Sequence, residues 1–196
     1  MTWRIAATGE EMEAAGLIWM MLCWLAWGYP FAFRATHCQK RASITVSGPT
    51  FAGLAFECAA VFVAFWFRLP AGQSPGLARI LASMAAGPVA AALAWTAVKH
   101  LGKQFRLRAG LYEDHELVRT GPYAVVRHPI YSSLLAILLC TLLLLTRPVW
   151  IAVSLALFAL GTEIRVRVED RLLASRFGGE FEEYRKKVWA YAPWIR

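Results

Sequence analysis

Residues 115–131, His115-Glu116-Leu117-Val118-Arg119-Thr120-Gly121-Pro122-Tyr123-Ala124-Val125-Val126-Arg127-His128-Pro129-Ile130-Tyr131, form a compact polar block of turns between apolar segments of membrane length. Such a block is costly at that position unless it lies at a membrane face and binds something. A second block, Arg165-Val166-Arg167-Val168-Glu169-Asp170, begins where the last apolar segment ends. The two together predict a reactive site at one mouth of a small helical membrane protein.

Crossing the hydrocarbon core takes about 20 apolar residues. Residues 14–33 qualify, with an end near Tyr29-Pro30, and so do residues 50–67. Pro70, Gly72, Pro75 and Gly76 make 68–77 a turn. Residues 78–98 form an Ala-rich third span with a kink expected at Pro88. Residues 99–127 read as interfacial or aqueous. The apolar runs 130–145 and 149–163, separated by Thr146-Arg147-Pro148, read as a tight helical hairpin, the fourth and fifth spans. The rest is polar and mostly helical. The expectation is an all-α integral membrane bundle of about five transmembrane helices with a C-terminal cytosolic pocket. Residues 1–98 would supply three spans, and 99–196 the functional half.

Composition agrees with a membrane protein. Of 196 residues, 58% are hydrophobic and 17% charged, and the mean hydropathy is +0.45. Nine Trp and eleven Phe suit interfacial aromatic belts. The net charge of +8 does not point to nucleic acid, because the basic residues fall between apolar segments. Anionic lipid headgroups are the better partner. Successive Lys/Arg counts of three, six and eight on one side oppose one, two and one on the other. The positive-inside rule then sets both polar blocks and the C-terminus in the cytoplasm, and the N-terminus outside. The N-terminus lacks a signal-peptide pattern, so the first apolar run is expected to be retained. Cys23, Cys38, Cys58 and Cys140 have neither paired nor metal-ligand spacing. Neither a disulfide nor a metal site is expected.

In the first block, Gly121-Pro122 makes a turn. His128 precedes a proline and is held extended. Proline is favoured at the first helical position, so His128 is expected at the cap of the fourth span, with Pro129-Ile130-Tyr131 as its first turn. A helix start offers unpaired N–H groups to an anion. The bland alternative is an interfacial turn with a snorkelling Arg127. In the second block, Arg165 and Glu169 share a helix face, and the bland alternative is a weak intrahelical ion pair. Glu163 and Arg167 have the same spacing and read as a structural pair.

Leu117-Val118-x-Thr120-Gly121-Pro122-Tyr123-x-x-x-Arg127-His128-Pro129-x-Tyr131, then Arg165-x-x-x-Glu169-Asp170-x-x-Leu173 and Phe177-Gly178-x-x-Phe181-x-x-Tyr184-x-x-x-Val188, resembles the isoprenylcysteine carboxyl methyltransferase family and its phospholipid methyltransferase relatives. The resemblance covers roughly residues 100–196. It implies a multi-span enzyme that uses S-adenosylmethionine and methylates a lipidic acceptor, most simply the carboxylate of an isoprenylated cysteine. By the same resemblance His115, Glu116, Leu117 and Val118 match the cofactor's backbone cradle. Tyr123, His128, Pro129, Ile130 and Tyr131 match further cofactor contacts, Glu169 the acidic cofactor ligand, and Arg165 the arginine assigned to the acceptor. Asp170 departs from the pattern, standing where a second Glu is common, as does Phe181, in place of a frequent Tyr. An ethanolamine phospholipid is the alternative acceptor. An amine would need a route for its proton, with Glu169, Glu163 or His115 as candidates. A sterol-type reductase using NADPH, its extra phosphate held by Arg106, Arg108, Arg119 and Arg127, is the reading from another class.

Overall fold

The computed structural model describes residues 2–37, 44–45, 48–102, 110–111 and 116–192. Six helices carry the fold: α1 (Thr2–His37), α2 (Gly48–Trp66), α3 (Leu77–Leu101), α4 (Pro129–Leu145), α5 (Pro148–Phe177) and α6 (Gly179–Lys187). A two-residue antiparallel ladder joins β1 (Ile44–Thr45) to β2 (Gly110–Leu111). The α1 segment Glu13–Phe33, α2, α3 and α5 are each long and apolar enough to cross a membrane, and α4 is a shorter apolar helix. The architecture is the expected all-α multi-pass membrane bundle.

α4 is the axis. It packs chiefly on α3, with α1 and α2 also against it, while α2 packs along α5. Ile137, Leu138, Cys140, Thr141 and Leu142 of α4 are all buried. Large apolar side chains such as Leu22, Leu25, Phe62, Trp66, Leu81 and Val149 point outward instead. Outward apolar residues over a core of small ones are what a lipid solvent selects, because lipid offers no hydrophobic reward for burying Leu or Phe. Ala60, Ala64, Ala90, Ala94 and Ala97 are accordingly buried at the helix contacts. Several polar groups in these contacts are paired. Trp24 and Trp27 donate to the hydroxyls of Thr141 and Ser133, each at 3.0 Å. Ser83 donates to the Cys140 carbonyl at 2.7 Å and Ser154 to the Ala60 carbonyl at 2.8 Å.

Three expectations change. The first helix does not end at Tyr29-Pro30 but runs through Pro30 to His37. The apolar run 149–163 is only the first half of one 30-residue helix, Pro148–Phe177, which carries the second polar block out of the membrane without a break. The fourth and fifth spans are joined by a short turn, yet they do not pack as a hairpin, since α3 and α2 are their main partners. The Arg147 amide donates to the Phe67 carbonyl at 3.1 Å, and the Trp150 ring stacks on Phe67. These contacts steer α5 onto α2. Arg79, at the start of α3, donates to the carbonyls of Leu142 and Thr146 at 3.0 and 2.6 Å. It thereby caps the C-terminus of α4, adding a second bond to the Leu142 carbonyl, which also accepts the Thr146 amide.

These pairings bring the C-terminal ends of α1 and α3, the N-terminal ends of α2 and α4, and the second half of α5 to one end of the bundle. Both polar blocks lie there.

Candidate active site at the mouth of the bundle

Gly121–Ala124 form a 310 turn, with Gly121 at φ +61°. A Cβ at Gly121 would lie 2.6 Å from the His100 ring carbons, so the turn seats closely on the end of α3. From there the chain enters α4 with His128 as its N-cap and Pro129 at its first position. The segment after α6 straps this entry. The amides of Arg127 and His128 each donate at 2.8 Å, to the carbonyls of Trp189 and Ala190, and the Ser132 hydroxyl donates to the Tyr191 carbonyl. α6 is itself anchored by the buried Phe181 ring and by the Tyr184 hydroxyl, which donates to the Tyr123 carbonyl at 2.5 Å.

Against this entry α5 sets two successive carboxylates about 100° apart around its axis. Asp170 accepts from His128 Nε2 at 2.8 Å and pairs with Arg127 Nη2 at 3.2 Å. Glu169 lies 3.3 Å from His128 Nδ1 and accepts from the Tyr131 hydroxyl at 2.5 Å. Both imidazole nitrogens therefore face carboxylates. Burial alone would lower the His128 pKa, but the hydrogen bonds and charges of Asp170 and Glu169 overcome this and raise it to about 9. His128 is thus a buried imidazolium at neutral pH. Burial, and then the negative charge of Glu169, push the Tyr123 phenol far up. Burial also raises Tyr184, to about 12. Both tyrosines stay protonated, as donors.

Arg165 is four residues before Glu169, yet the two do not pair. Helical side chains lean toward the helix N-terminus, and Arg165 reaches across to α2, where its Nη1 meets Glu57 at 2.6 Å. Its guanidinium carbon lies 5.0 Å from the centre of the Tyr131 ring, so a tyrosine intervenes between Arg165 and Glu169. Glu163 and Arg167 do form the expected structural pair, at 2.8 Å. The cluster holds three cations, Arg127, His128 and Arg165, against three anions, Glu57, Glu169 and Asp170. A buried set of charges is tolerable only when it is neutral and hydrogen-bonded in this way.

The structure thus gathers Tyr123, His128, Tyr131, Arg165 and Glu169. Pro129 and Ile130 shape the turn, and a Ser133 hydroxyl bond to the Ile130 carbonyl at 2.7 Å helps to hold it. His115 lies outside the described residues. Glu116 is exposed, and Leu117 and Val118 are half-buried in an irregular stretch. Among the described residues these three make no hydrogen bond to the cluster. Arg127 is not a snorkelling interfacial cation. Its side chain is 1% exposed, and it donates to Asp170 and to the Arg185 and Val188 carbonyls. Glu57, Arg127 and Asp170 are the three charged members that reading the sequence did not place in the site.

A charged cluster set into the mouth of a helical membrane bundle, with one carboxylate still partly open, defines the class: a multi-pass membrane protein with a polar site at one face. Residues 85–175 match the family model of the isoprenylcysteine carboxyl methyltransferase (ICMT) family. This stretch carries Tyr123, Arg127, His128, Tyr131, Arg165, Glu169 and Asp170. Protein-S-isoprenylcysteine O-methyltransferase of Saccharomyces cerevisiae is 35% identical over 82 residues, 42% of this chain and 34% of the yeast protein. Protein-S-isoprenylcysteine O-methyltransferase B of Arabidopsis thaliana is 30% identical over 103 residues, 51% of this chain and 52% of that protein. The cobalt-zinc-cadmium resistance protein CzcN of Cupriavidus metallidurans is 42% identical over 94 residues, 45% of this chain and 42% of that protein. The similarity thus spans about a third to a half of these relatives.

Proposed function

We propose that the protein is a membrane methyltransferase that uses S-adenosylmethionine and methylates the carboxylate of an isoprenylated cysteine or a similar lipidic acid. One observation carries this reading. The carboxylate of Glu169, oriented by the His128 imidazolium and the Tyr131 hydroxyl, keeps its side chain 26% exposed within the region that matches the family. A half-buried carboxylate held on two sides and open on a third is suited to an ammonium or a ribose hydroxyl.

The residues fit the donor's chemistry. Glu169 would take its ammonium or ribose, the Ile130 amide at the start of α4 its carboxylate, and the aromatic faces of Tyr123 and Tyr131 its adenine and positive charge. When bound, S-adenosylmethionine supplies an electrophilic methyl group on a sulfonium. An acceptor carboxylate is already ionised at neutral pH, so the chain needs no general base and its work is positioning and exclusion of water. Arg165 supports the acceptor role, since its Nε is buried without a partner among the described residues. A buried unmatched donor beside the cofactor ligand suits an incoming carboxylate. The lipid tail would enter sideways between spans. An ethanolamine phospholipid would set its phosphate, and not its reacting amine, against that donor. A reductase would need arginines for the extra phosphate of NADPH, whereas Arg119 is paired with Glu180 and Arg127 with Asp170.

The test is a thermal shift in detergent. S-adenosylhomocysteine should raise the midpoint, and NADPH should not. Labelled methyl should pass to a farnesyl-cysteine analogue and not to phosphatidylethanolamine. Glu169→Ala should abolish the shift, and Arg165→Ala should keep the shift but lose turnover. A shift with NADPH alone, or label on phosphatidylethanolamine, would overturn the reading.

A further inference from the structure

Glu57 is the one acidic residue of α2 and lies outside the residues that match the family. It is 3% exposed, in the middle of an apolar helix, where a carboxylate is costly unless it has a purpose and a partner. Its partners are Arg165 Nη1 at 2.6 Å and the Thr162 hydroxyl at 3.2 Å. Holding α2 against α5 does not require it. The helices already touch backbone to backbone, since a Cβ on Gly53 would lie 2.7 Å from the Gly161 carbonyl oxygen. Ser154 and Thr146 add hydrogen bonds to the Ala60 and Ala64 carbonyls, at 2.8 and 2.9 Å.

What Glu57 does control is Arg165. With Nη1 taken by Glu57 and one face of the guanidinium over Tyr131, the buried Nε is left as an unmatched donor. We infer that Glu57 is a positioning residue for the methyl acceptor: it fixes and partly neutralises Arg165, so that the Nε side of the guanidinium binds the acceptor's carboxylate. This inference rests on the carboxyl methyltransferase reading, and it extends the site into the N-terminal half. The physical reason concerns nucleophilicity. An arginine with its full charge and both edges free grips both oxygens of a carboxylate and draws charge from the attacking one. An arginine already shared with Glu57 holds one oxygen and leaves the other its charge.

The experiment compares wild type, Glu57→Gln and Glu57→Asp with a farnesyl-cysteine acceptor. Glu57→Gln, nearly isosteric, should lower kcat at least tenfold with the acceptor KM unchanged or lower. Its affinity for S-adenosylhomocysteine should stay within twofold of wild type. Glu57→Asp keeps the charge and should recover part of the lost kcat, which also serves if the Gln variant does not fold. A kcat within twofold of wild type in both variants would overturn the inference. So would a parallel loss of S-adenosylhomocysteine affinity and thermal midpoint, which would make Glu57 a packing residue. Wild type that transfers no methyl to a carboxylate would instead overturn the reading on which the inference rests.

Discussion

His128 is the residue at which charge and stability meet. Its folded pKa, about 9, lies above the ordinary 6.5. A group whose pKa is raised on folding stabilises the protein fully below its unfolded value, and that contribution fades as pH climbs through the folded one. Below pH ~6.5 the imidazolium is charged in both states, and its pairs with Asp170 and Glu169 count in full. Between pH ~6.5 and 9 the unfolded chain releases its proton while the folded one keeps it, and the advantage, on the order of 3 kcal/mol, drains away. The thermal midpoint of the wild type is therefore expected to fall over this window, and that of His128→Gln to be flatter. Parallel midpoint curves for the two proteins would contradict the imidazolium. At this scale the sequence revealed its local motifs and hid the long-range pairs. His128, Tyr131 and Glu169 stand in spaced motifs, so their types and order could be read. Glu57 has no charged neighbour on its own helix, and its partner is 108 positions away. The legible sign was the presence of an acid in a membrane-length run. Asp170 stands out in sequence only as a departure from the family pattern, whereas in the structure its shorter side chain meets both Arg127 and His128.

Among the helices, what places the cluster is the closeness of α2 to α5. Gly161 is where the two backbones meet: a Cβ there would lie 2.6 Å from the Gly53 carbonyl oxygen and 3.0 Å from both the Glu57 amide nitrogen and Phe56 Cβ. Backbone cannot step aside as a flexible side chain can. Gly161→Ala should therefore push α2 off α5 and cost about 1–3 kcal/mol, the usual range for overpacking. It should also weaken turnover by moving Glu57 away from Arg165. Gly28→Ala is the control, since a Cβ on that α1 residue meets nothing within 4 Å. It should be neutral or stabilise by about 0.5–1 kcal/mol, as Ala generally does in place of Gly within a helix. Chemical denaturation of the two variants in the same detergent reads the contrast, and equal midpoints would refute it. Helix existence was legible here because apolar runs of membrane length announce themselves. Helix extent was not. The apolar pattern stops near Glu163 while α5 runs on to Phe177, because backbone hydrogen bonding continues regardless of which side chains turn polar. Partner choice was hidden too, because Gly53 and Gly161 are 108 positions apart and adjacency in sequence favoured the hairpin instead.

Over the whole molecule, the site end of the bundle is also the basic end. Arg119, Arg165, Arg185, Lys186 and Lys187 lie toward it, against Arg68, Arg79 and Arg147 at the opposite end. Arg79, moreover, is spent inside the protein on the carbonyls of Leu142 and Thr146, whereas Arg68 and Arg147 are exposed at that end. The positive-inside rule then predicts that the cluster faces the cytoplasm. A reporter that fluoresces only when folded in the cytoplasm, fused after Arg196, should be bright. The same reporter fused before Met1 should be dark, and a periplasm-active phosphatase at that end should be active. The reverse pattern would turn the site outward and sever it from a cytoplasmic donor. Adding two lysines beside Arg68 and Arg147 should erode the bias by making the opposite end more basic. The C-terminal reporter signal should then fall in proportion to the molecules inserted the other way round, and methyl transfer in intact cells should fall with it.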